Sequence, residues 1–112
     1  MMPGRFEIKK AKNDQFHFNL KASNGEIILS SEMYTTKRAA LNGVASVQKN
    51  SSEGSRYDRR VSKSNKPYFV LKAGNHQVIG QSEMYESERA MENGIKSVTK
   101  NGPGAKVEDL TA

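Results

Sequence analysis

Two glutamates in identical surroundings could support acid–base chemistry. Glu32 and Glu83 each stand in a Ser-Glu-Met-Tyr segment, at residues 31–34 and 82–85, ahead of a stretch with helical periodicity. Two carboxyl groups that share a site push their pKa values apart, which suits one as an acid and the other as a base. Alternatively, each acid favours the dipole of the helix that follows. The second interpretation is preferred, because nothing in the sequence requires the two carboxylates to meet.

Basic residues cluster at two places that could hold an anion. The chain has 18 Lys and Arg against 12 Asp and Glu, a formal charge of +6. This balance favours an acidic partner such as nucleic acid or an acidic protein, since phosphate contacts need only such charge. Aromatic residues arranged to stack RNA bases are not evident, so a solvated basic rim is the alternative. The candidate anion or nucleic-acid contacts are Lys9, Lys10, Lys12, Arg59, Arg60, Lys63 and Lys66.

The other residues with chemical potential indicate no catalytic centre. His17 and His76 occupy different positions in the chain, and neither has a second ligand at a recognised spacing. The absence of cysteine excludes disulfides, thiolate metal sites and thiol catalysis. No glycine-rich phosphate loop or serine-centred elbow occurs. We therefore predict a non-enzymatic binding or accessory module with no catalytic residue, metal or cofactor. The alternative is a small enzyme that uses Glu32 and Glu83.

Two asparagines and two glycines stand at matching places inside helical stretches. Asn42 and Asn93 are poor helix formers, so we expect each amide to hydrogen-bond a neighbouring strand or loop rather than a ligand. Gly43 and Gly94 each cost a helix about 1 kcal/mol relative to alanine. Such a cost at both positions predicts that the helix packs very closely on its sheet.

All of these residues lie in a tandem duplication. Sliding the chain by 51 positions places residues 18–24 on 69–75, and residues 31–34 on 82–85, without a gap. The match continues through the helical stretches, and roughly half of these positions are identical, which chance does not supply. One repeated unit must therefore position every candidate residue.

Each unit begins with three predicted strands. In unit one, residues 6–9 and 16–21 alternate apolar with polar side chains, the signature of half-buried strands. Asn24-Gly25 then favours a tight hairpin turn, and residues 26–30 return as the third strand. Unit two has Asn75-His76 at that turn, a weaker form of the same signal.

An amphipathic helix follows the strands of each unit. Thr36 and Ser87 are the expected N-caps, and Asn101-Gly102-Pro103 ends the second helix. In each helix the apolar residues recur at helical spacing, which predicts one buried stripe. The two stripes consist of Ala40, Val44 and Val47, and of Met91, Ile95 and Val98.

A unit of about 51 residues with one helix cannot easily close its own core. A short strand follows each helix, over residues 55–61 and 105–110, and the first must also open unit two. We predict an α+β fold with a single domain over residues 1–112. In it, two tandem β(3)-α-β repeats, 5–54 and 55–110, share one antiparallel sheet around a pseudo-two-fold axis, with both helices packed against it. Because the duplication supplies a pseudo-dimer, the chain is expected to be a monomer.

The chain shows no export or membrane signal. Residues 1–7 meet a charge before an apolar segment could form, and the longest aliphatic run, at 27–29, is far too short for a membrane span. The lack of cysteine is compatible with a reducing compartment. We expect a soluble cytoplasmic protein that does not bind membranes.

Three motifs, each present twice, carry a family resemblance. The chain resembles the YegP-like family of small bacterial proteins of unknown function over residues 5–110. The resemblance implies the fold of that family, in which β(3)-α-β repeats form one sheet with exchanged C-terminal strands, and it implies no activity. The motifs are Phe-x-Leu-Lys-Ala-x-Asn at 18–24 and 69–75 (with Val70 and Gly74 in the second copy), Ser-Glu-Met-Tyr at 31–34 and 82–85, and Arg-Ala-x-x-Asn-Gly-x-x-Ser-Val-x-Lys-Asn at 38–50 and 89–101.

Overall fold

A computed structural model describes residues 4–111 of the chain. Seven strands and two α-helices follow one another in the order that the repeat predicts, with three strands before each helix. A short 3₁₀ turn, Gly54–Arg56, follows the first helix. The elements are β1 (Arg5–Lys10), β2 (Phe16–Lys21), β3 (Ile27–Ser30), α1 (Lys37–Asn50), β4 (Tyr57–Val61), β5 (Pro67–Lys72), β6 (Val78–Gln81), α2 (Glu88–Asn101) and β7 (Lys106–Asp109).

The seven strands form one sheet in the order β4-β5-β6-β3-β2-β1-β7. The two repeats meet at its centre, where Ser30 of β3 pairs with Gln81 of β6. These residues are counterparts in the 51-residue repeat, so the pseudo-two-fold axis passes between them. The predicted α+β fold with two repeats sharing one sheet is confirmed.

One pair of strands differs from the antiparallel sheet that was predicted. β7 runs parallel to β1, with Arg5 opposite Lys106. The direction follows from α2, which ends beside the start of β1, where Asn101 Oδ1 accepts a hydrogen bond from Gly4 N–H at 3.0 Å. The chain that leaves α2 therefore enters the sheet from the same end as β1. β7 is the strand of repeat two that is exchanged onto repeat one, whereas repeat one continues from α1 directly into β4.

Both helices cover the same face of the sheet. The stripes expected to be buried are buried, with Val47 and Val98 fully so. They pack on Phe6, Phe18 and Phe69 in one hydrophobic core that both repeats share. The predicted N-caps are confirmed, since Thr36 Oγ1 accepts from Ala39 N–H at 3.0 Å and Ser87 Oγ accepts from Ala90 N–H at 3.1 Å.

Gly43 and Gly94 allow the close packing that the sequence predicts. Tyr34 stacks on Phe18 with ring centroids 6.2 Å apart, and its hydroxyl lies against α1 at Gly43. A Cβ atom on Gly43 would stand 2.5 Å from Tyr34 Oη. Tyr85 and Phe69 form the same stack beside Gly94. Each helix therefore rests on an aromatic pair through a position that admits no side chain.

The four hairpins share one loop design. Each loop has five residues, and the fourth residue takes a positive φ angle. Glycine adopts this conformation without steric cost, and asparagine and aspartate tolerate it. The fourth residues are Asp14, Gly25, Asn65 and His76, with φ angles of 64°, 87°, 64° and 71°.

We expect His76→Gly to stabilise the protein by about 0.5–1 kcal/mol, because histidine is poorly suited to positive φ. The change should raise the free energy of unfolding measured by urea titration. Gly25→Ala is the matched control. It places a side chain at the same loop position, where φ is positive, and should therefore lower the free energy of unfolding. A His76→Gly variant that is less stable than the wild type would show that the His76 side chain makes a stabilising contact.

Candidate functional site

A cleft of about 470 Å³ lies along the seam between β3 and β6, on the pseudo-two-fold axis. Each repeat contributes the same five positions, so the cleft is symmetric in outline. The lining differs in detail, because Leu29 faces Gly80 and Ser30 faces Gln81 across the axis. The lining residues are Ile27, Leu29, Ser30, Ser31 and Glu32, with their counterparts Val78, Gly80, Gln81, Ser82 and Glu83.

Glu32 and Glu83 stand at opposite ends of this cleft. They lie two residues beyond the Ser30–Gln81 pair, in opposite directions because the strands are antiparallel. With an extended rise of about 3.3 Å per residue, their Cα atoms are about 13 Å apart. That value is a separation of backbones, whereas the roughly 5–9.5 Å typical of paired glycosidase carboxylates is measured between the carboxyl groups themselves. The register gives no support to an acid–base pair, although both residues line one cleft.

The serine hydroxyls in the cleft are committed to the fold. Ser31 Oγ accepts from Phe18 N–H at 2.8 Å and donates to Glu32 O at 2.7 Å. Ser82 Oγ makes the same two bonds, with Phe69 N–H at 3.0 Å and Glu83 O at 2.8 Å. Both hydroxyls thereby satisfy backbone groups where β3 and β6 leave the sheet. The arrangement suits a structural role better than nucleophilic catalysis.

The tyrosines beside the cleft stay protonated over the ordinary pH range. Burial raises the pKa of Tyr34, and the Glu32 carboxylate raises it further. Burial likewise raises the pKa of Tyr85, with smaller contributions from Glu83 and Glu26. Neither hydroxyl is therefore prepared to act as a base near neutral pH.

The two basic hairpins lie at opposite corners of the sheet. Four strand spacings, roughly 19 Å, separate the centre of the β1–β2 hairpin from that of the β4–β5 hairpin. Because β1 and β4 run in opposite directions, the two loops also leave the sheet at opposite ends. The candidate contacts therefore form two separate patches rather than one continuous surface.

Most of the hairpin candidates are engaged with acids of the same molecule. Arg59 Nη2 donates to Glu92 Oε1 at 2.9 Å, and this bond lowers the pKa of the Glu92 carboxyl. Arg60 Nε donates to Asp58 Oδ2 at 3.0 Å, and this bond lowers the pKa of the Asp58 carboxyl. Among residues 4–111, only Lys12 and Lys63 of the candidate set have no acid within 4.0 Å. The other three pairs are Lys9–Glu7 at 4.0 Å, Lys10–Asp14 at 3.5 Å and Lys66–Glu86 at 2.8 Å.

Acids also neutralise charge on the sheet face that the helices leave open. Glu7 is buried there, and Lys21 Nζ lies 3.0 Å from its carboxylate, as does Arg5 Nε. Lys21 is the main cause of a lowered Glu7 pKa, which burial alone would raise. In repeat two, Asp58 holds Lys72 at 3.4 Å in the corresponding place. The open face therefore carries internally paired charges.

The outward faces of the helices carry charge that has no such partners. Four positions lie opposite the buried stripe of each helix, and we call them the outer stripe. Every side chain in the outer stripes is exposed. Among residues 4–111, none of their basic side chains has an acid within 4.0 Å. The outer stripes are Arg38, Asn42, Ala45 and Lys49 on α1, and Arg89, Asn93, Lys96 and Lys100 on α2.

The expected structural role of Asn42 and Asn93 is wrong. Both side chains are exposed, and neither makes a side-chain hydrogen bond with any residue in the described part of the chain. The asparagines at the helix ends make the expected hydrogen bonds instead. Asn50 Oδ1 accepts from Arg56 Nε at 3.0 Å, and its buried counterpart Asn101 accepts from Gly4 N–H. The amides at the helix ends therefore hold neighbouring segments of the chain, whereas Asn42 and Asn93 are exposed within the helices.

The outer stripe was readable from the sequence as a repeated pattern. Its first, second and fourth positions are Arg, Asn and Lys on both helices. The buried positions differ more between the helices, since Ala40 and Val44 of α1 correspond to Met91 and Ile95 of α2. Helical spacing places the three shared polar residues on one line, which a search for clusters in the linear sequence does not detect.

The histidines lie apart from one another. His17 is on β2, opposite Lys9, and His76 is in the loop between β5 and β6. No group of three or more histidine, aspartate or glutamate side chains converges to hold a metal ion in the region from Gly4 to Thr111. Neither helix of that region is long and apolar enough to cross a membrane.

Comparison with known proteins identifies the family of the chain. The model of the domain of unknown function DUF1508 matches twice, over residues 11–58 and 62–109. The UPF0339 protein YegP of Yersinia pestis is 63% identical over 111 residues, which is 99% of each chain. A UPF0339 protein of Acinetobacter baylyi is 59% identical, over 98% of this chain and 99% of the relative.

Two solution structures determined by NMR match the whole architecture. A UPF0339 protein from Shewanella oneidensis is 56% identical with a TM-score of 0.92, over 98% of this chain and 93% of that one. The protein of unknown function yegP from E. coli is 48% identical with a TM-score of 0.94, over 100% of this chain and 97% of that one. The chain therefore belongs to the UPF0339 (YegP) family of unknown function, as a protein with two tandem DUF1508 repeats.

Proposed function

We propose that the protein is a non-enzymatic cytoplasmic module that binds the phosphate backbone of nucleic acid through the outer stripes of its two helices. The observation that carries the proposal is the pair of stripes with the shared pattern Arg, Asn, Lys. Arg38, Lys49, Arg89, Lys96 and Lys100 are all exposed. Within residues 4–111 they are a larger set of cations without an acid inside 4.0 Å than the hairpins offer, and Lys96 also lowers the pKa of the Glu92 carboxyl.

The dimensions of a stripe suit a phosphate backbone. Arg38 and Lys49 are 11 residues apart, which corresponds to about 17 Å along a helix. Arginine and lysine supply donors to phosphate oxygens, and the Asn42 amide between them supplies both a donor and an acceptor. Antiparallel placement of the two helices follows from the pseudo-two-fold axis, so the second stripe repeats the first in reverse.

Charge balance supports this face over the other candidates. Counting ion pairs within the described part of the chain, Lys37 is the one acid-paired cation of α1, and its partner is Asp109. The cleft on the axis presents Glu32 and Glu83, which repel phosphate. The hairpin patches remain a prediction, with Lys12 and Lys63 as their most available cations.

The test compares two variants that remove the same number of positive charges. In the helix variant, Arg38, Lys49, Arg89 and Lys100 are changed to Ser. In the hairpin variant, Lys9, Lys12, Arg60 and Lys63 are changed to Ser. Labelled single-stranded RNA, single-stranded DNA and duplex are titrated with each protein at several salt concentrations.

We expect the helix variant to bind at least about 30-fold more weakly than the wild type, and the hairpin variant to bind almost normally. The log–log slope of affinity against salt should approach about −0.7 per phosphate contact for single strands and −0.9 for duplex, and it should shrink in the helix variant. Equal losses in both variants would indicate attraction by net charge alone. Wild-type binding weaker than about 0.1 mM at moderate salt would exclude nucleic acid and leave an acidic protein as the partner.

A further inference from the structure

The outer edge of β1 shows how this sheet accepts an added strand. β7 lies along β1 in parallel, and charged side chains fix its register. Arg5 Nε lies 3.3 Å from Glu108 Oε2, and Lys37 of α1 pairs with Asp109. The bond from Lys37, together with those from Thr111, lowers the pKa of the Asp109 carboxyl to about 2. The edge thus recognises a strand with acids at two successive positions.

The outer edge of β4 is the counterpart of that edge, and no strand covers it. Among the described residues, β4 has a single neighbour, β5. Residues 55–58, which correspond to β7 in the first repeat, lead into β4 itself. At β1, Leu110 N–H donates to Ile8 O at 2.9 Å, and the backbone of Arg59 is the counterpart of Ile8. An uncovered edge of this kind can pair with an extended segment of another chain.

The side chains around β4 retain one of the two recognition charges and reverse the other. In the repeat, Arg56 is the counterpart of Arg5 and Glu88 is the counterpart of Lys37. Arg56 Nε donates to Asn50 Oδ1 at 3.0 Å, so the guanidinium would exchange this amide for the carboxylate of an added strand. Neither Arg56 nor Glu88 has an ion-pair partner among residues 4–111. Arg59 is already neutralised by Glu92. A strand that follows the example of β7 would therefore meet a positive charge at its third position and a negative charge at its fourth.

We propose that β4 receives an extended segment of a partner protein as an eighth strand, parallel to β4, and that this segment carries an acidic residue followed directly by a basic one. The acidic residue corresponds to Glu108 and pairs with Arg56. The basic residue corresponds to Asp109 and pairs with Glu88. Backbone hydrogen bonds supply most of the affinity in strand addition, and the two charges supply the choice of sequence.

The same charges oppose a second copy of this chain as the occupant. Its β7 would bring Asp109 against Glu88, and like charges placed together disfavour strand pairing. Charged side chains on an edge strand also limit indiscriminate pairing, and Arg59 and Arg60 supply them here. The edge is therefore selective for a different sequence.

The experiment uses two synthetic peptides that copy residues 104–112, with both termini blocked. One peptide has the native sequence, and the other carries Asp109→Lys. Each is added to ¹⁵N-labelled full-length protein at up to millimolar concentration, and amide chemical shifts are followed. We expect the Asp109→Lys peptide to shift the amides of Tyr57–Val61 and to bind about threefold to tenfold more tightly than the native peptide.

A charge reversal in the protein provides the matched control. Glu88→Lys recreates the lysine that α1 carries at Lys37, so the change is compatible with a folded helix. This variant should prefer the native peptide, by a similar factor. The proposal fails if the peptides shift the β1 amides by displacing β7, if both peptides bind equally, or if no β4 amide moves at millimolar peptide.

Discussion

Gly80→Leu is expected to abolish folding, and Leu29→Ala is expected to lower the free energy of unfolding by about 3–5 kcal/mol. Leu29 and Gly80 are counterparts in the repeat, and they meet on the helix-covered face beside the pseudo-two-fold axis. A Cβ atom on Gly80 would lie 2.5 Å from Leu29 Cδ2. Leu29 is fully buried in the shared core, so moving its side chain away from a leucine at position 80 would disturb that packing. The axis therefore admits one large side chain and one small one.

A variant with both changes exchanged tests this explanation. Leu29→Gly combined with Gly80→Leu places the large side chain on the other repeat, where the pseudo-symmetric surroundings should accept it. Chemical denaturation should show the double variant to be several kcal/mol more stable than Gly80→Leu alone, which is a large coupling energy for two positions in contact. If the double variant is no more stable than Gly80→Leu, a collision with Leu29 across the axis is not the cause of the destabilisation.

The parts of the fold that the sequence predicts correctly depend on local patterns. The buried stripes of α1 and α2, their N-caps and their close-packed glycines each follow from residues within one element. Helical and strand periodicities report which face of an element meets the core, and a repeat doubles that information. The shared sheet could also be predicted, because one repeat has too little apolar surface to fold alone.

The parts that the sequence does not predict depend on how distant elements meet. A single pair, Ser30 with Gln81, determines that the repeats join in antiparallel register. That register separates Glu32 from Glu83 and sends the basic hairpins to opposite corners. The parallel entry of β7 likewise depends on where α2 ends. None of these outcomes leaves a periodic pattern in the sequence.

The sequence predicts the candidate site only in part, and the reason differs from the one that applies to the fold. The seven basic candidates are grouped along the chain, whereas their availability depends on acids that the fold brings near them. Glu92 is remote from Arg59 in sequence and bonds to it in space. The asparagines of the outer stripes are unusual inside a helix, but their exposure depends on which face of each helix the sheet buries.

Gly94→Ala is expected to destabilise the protein by about 1–3 kcal/mol, although alanine favours an isolated helix by about 1 kcal/mol. The added Cβ would collide with Tyr85 Oη and would stand 3.3 Å from Phe69 Cε2. Adding Tyr85→Phe removes the nearest colliding atom, but the ring carbon Cζ would still lie 2.7 Å from the added Cβ, so the double variant should recover part of the loss. Gly54→Ala is the matched control, because a Cβ there meets nothing within 4 Å and should leave stability unchanged or slightly higher. Urea titration of the four proteins measures their free energies of unfolding. A Gly94→Ala variant as stable as the wild type would show that the Tyr85–Phe69 stack can shift to accommodate the added methyl group.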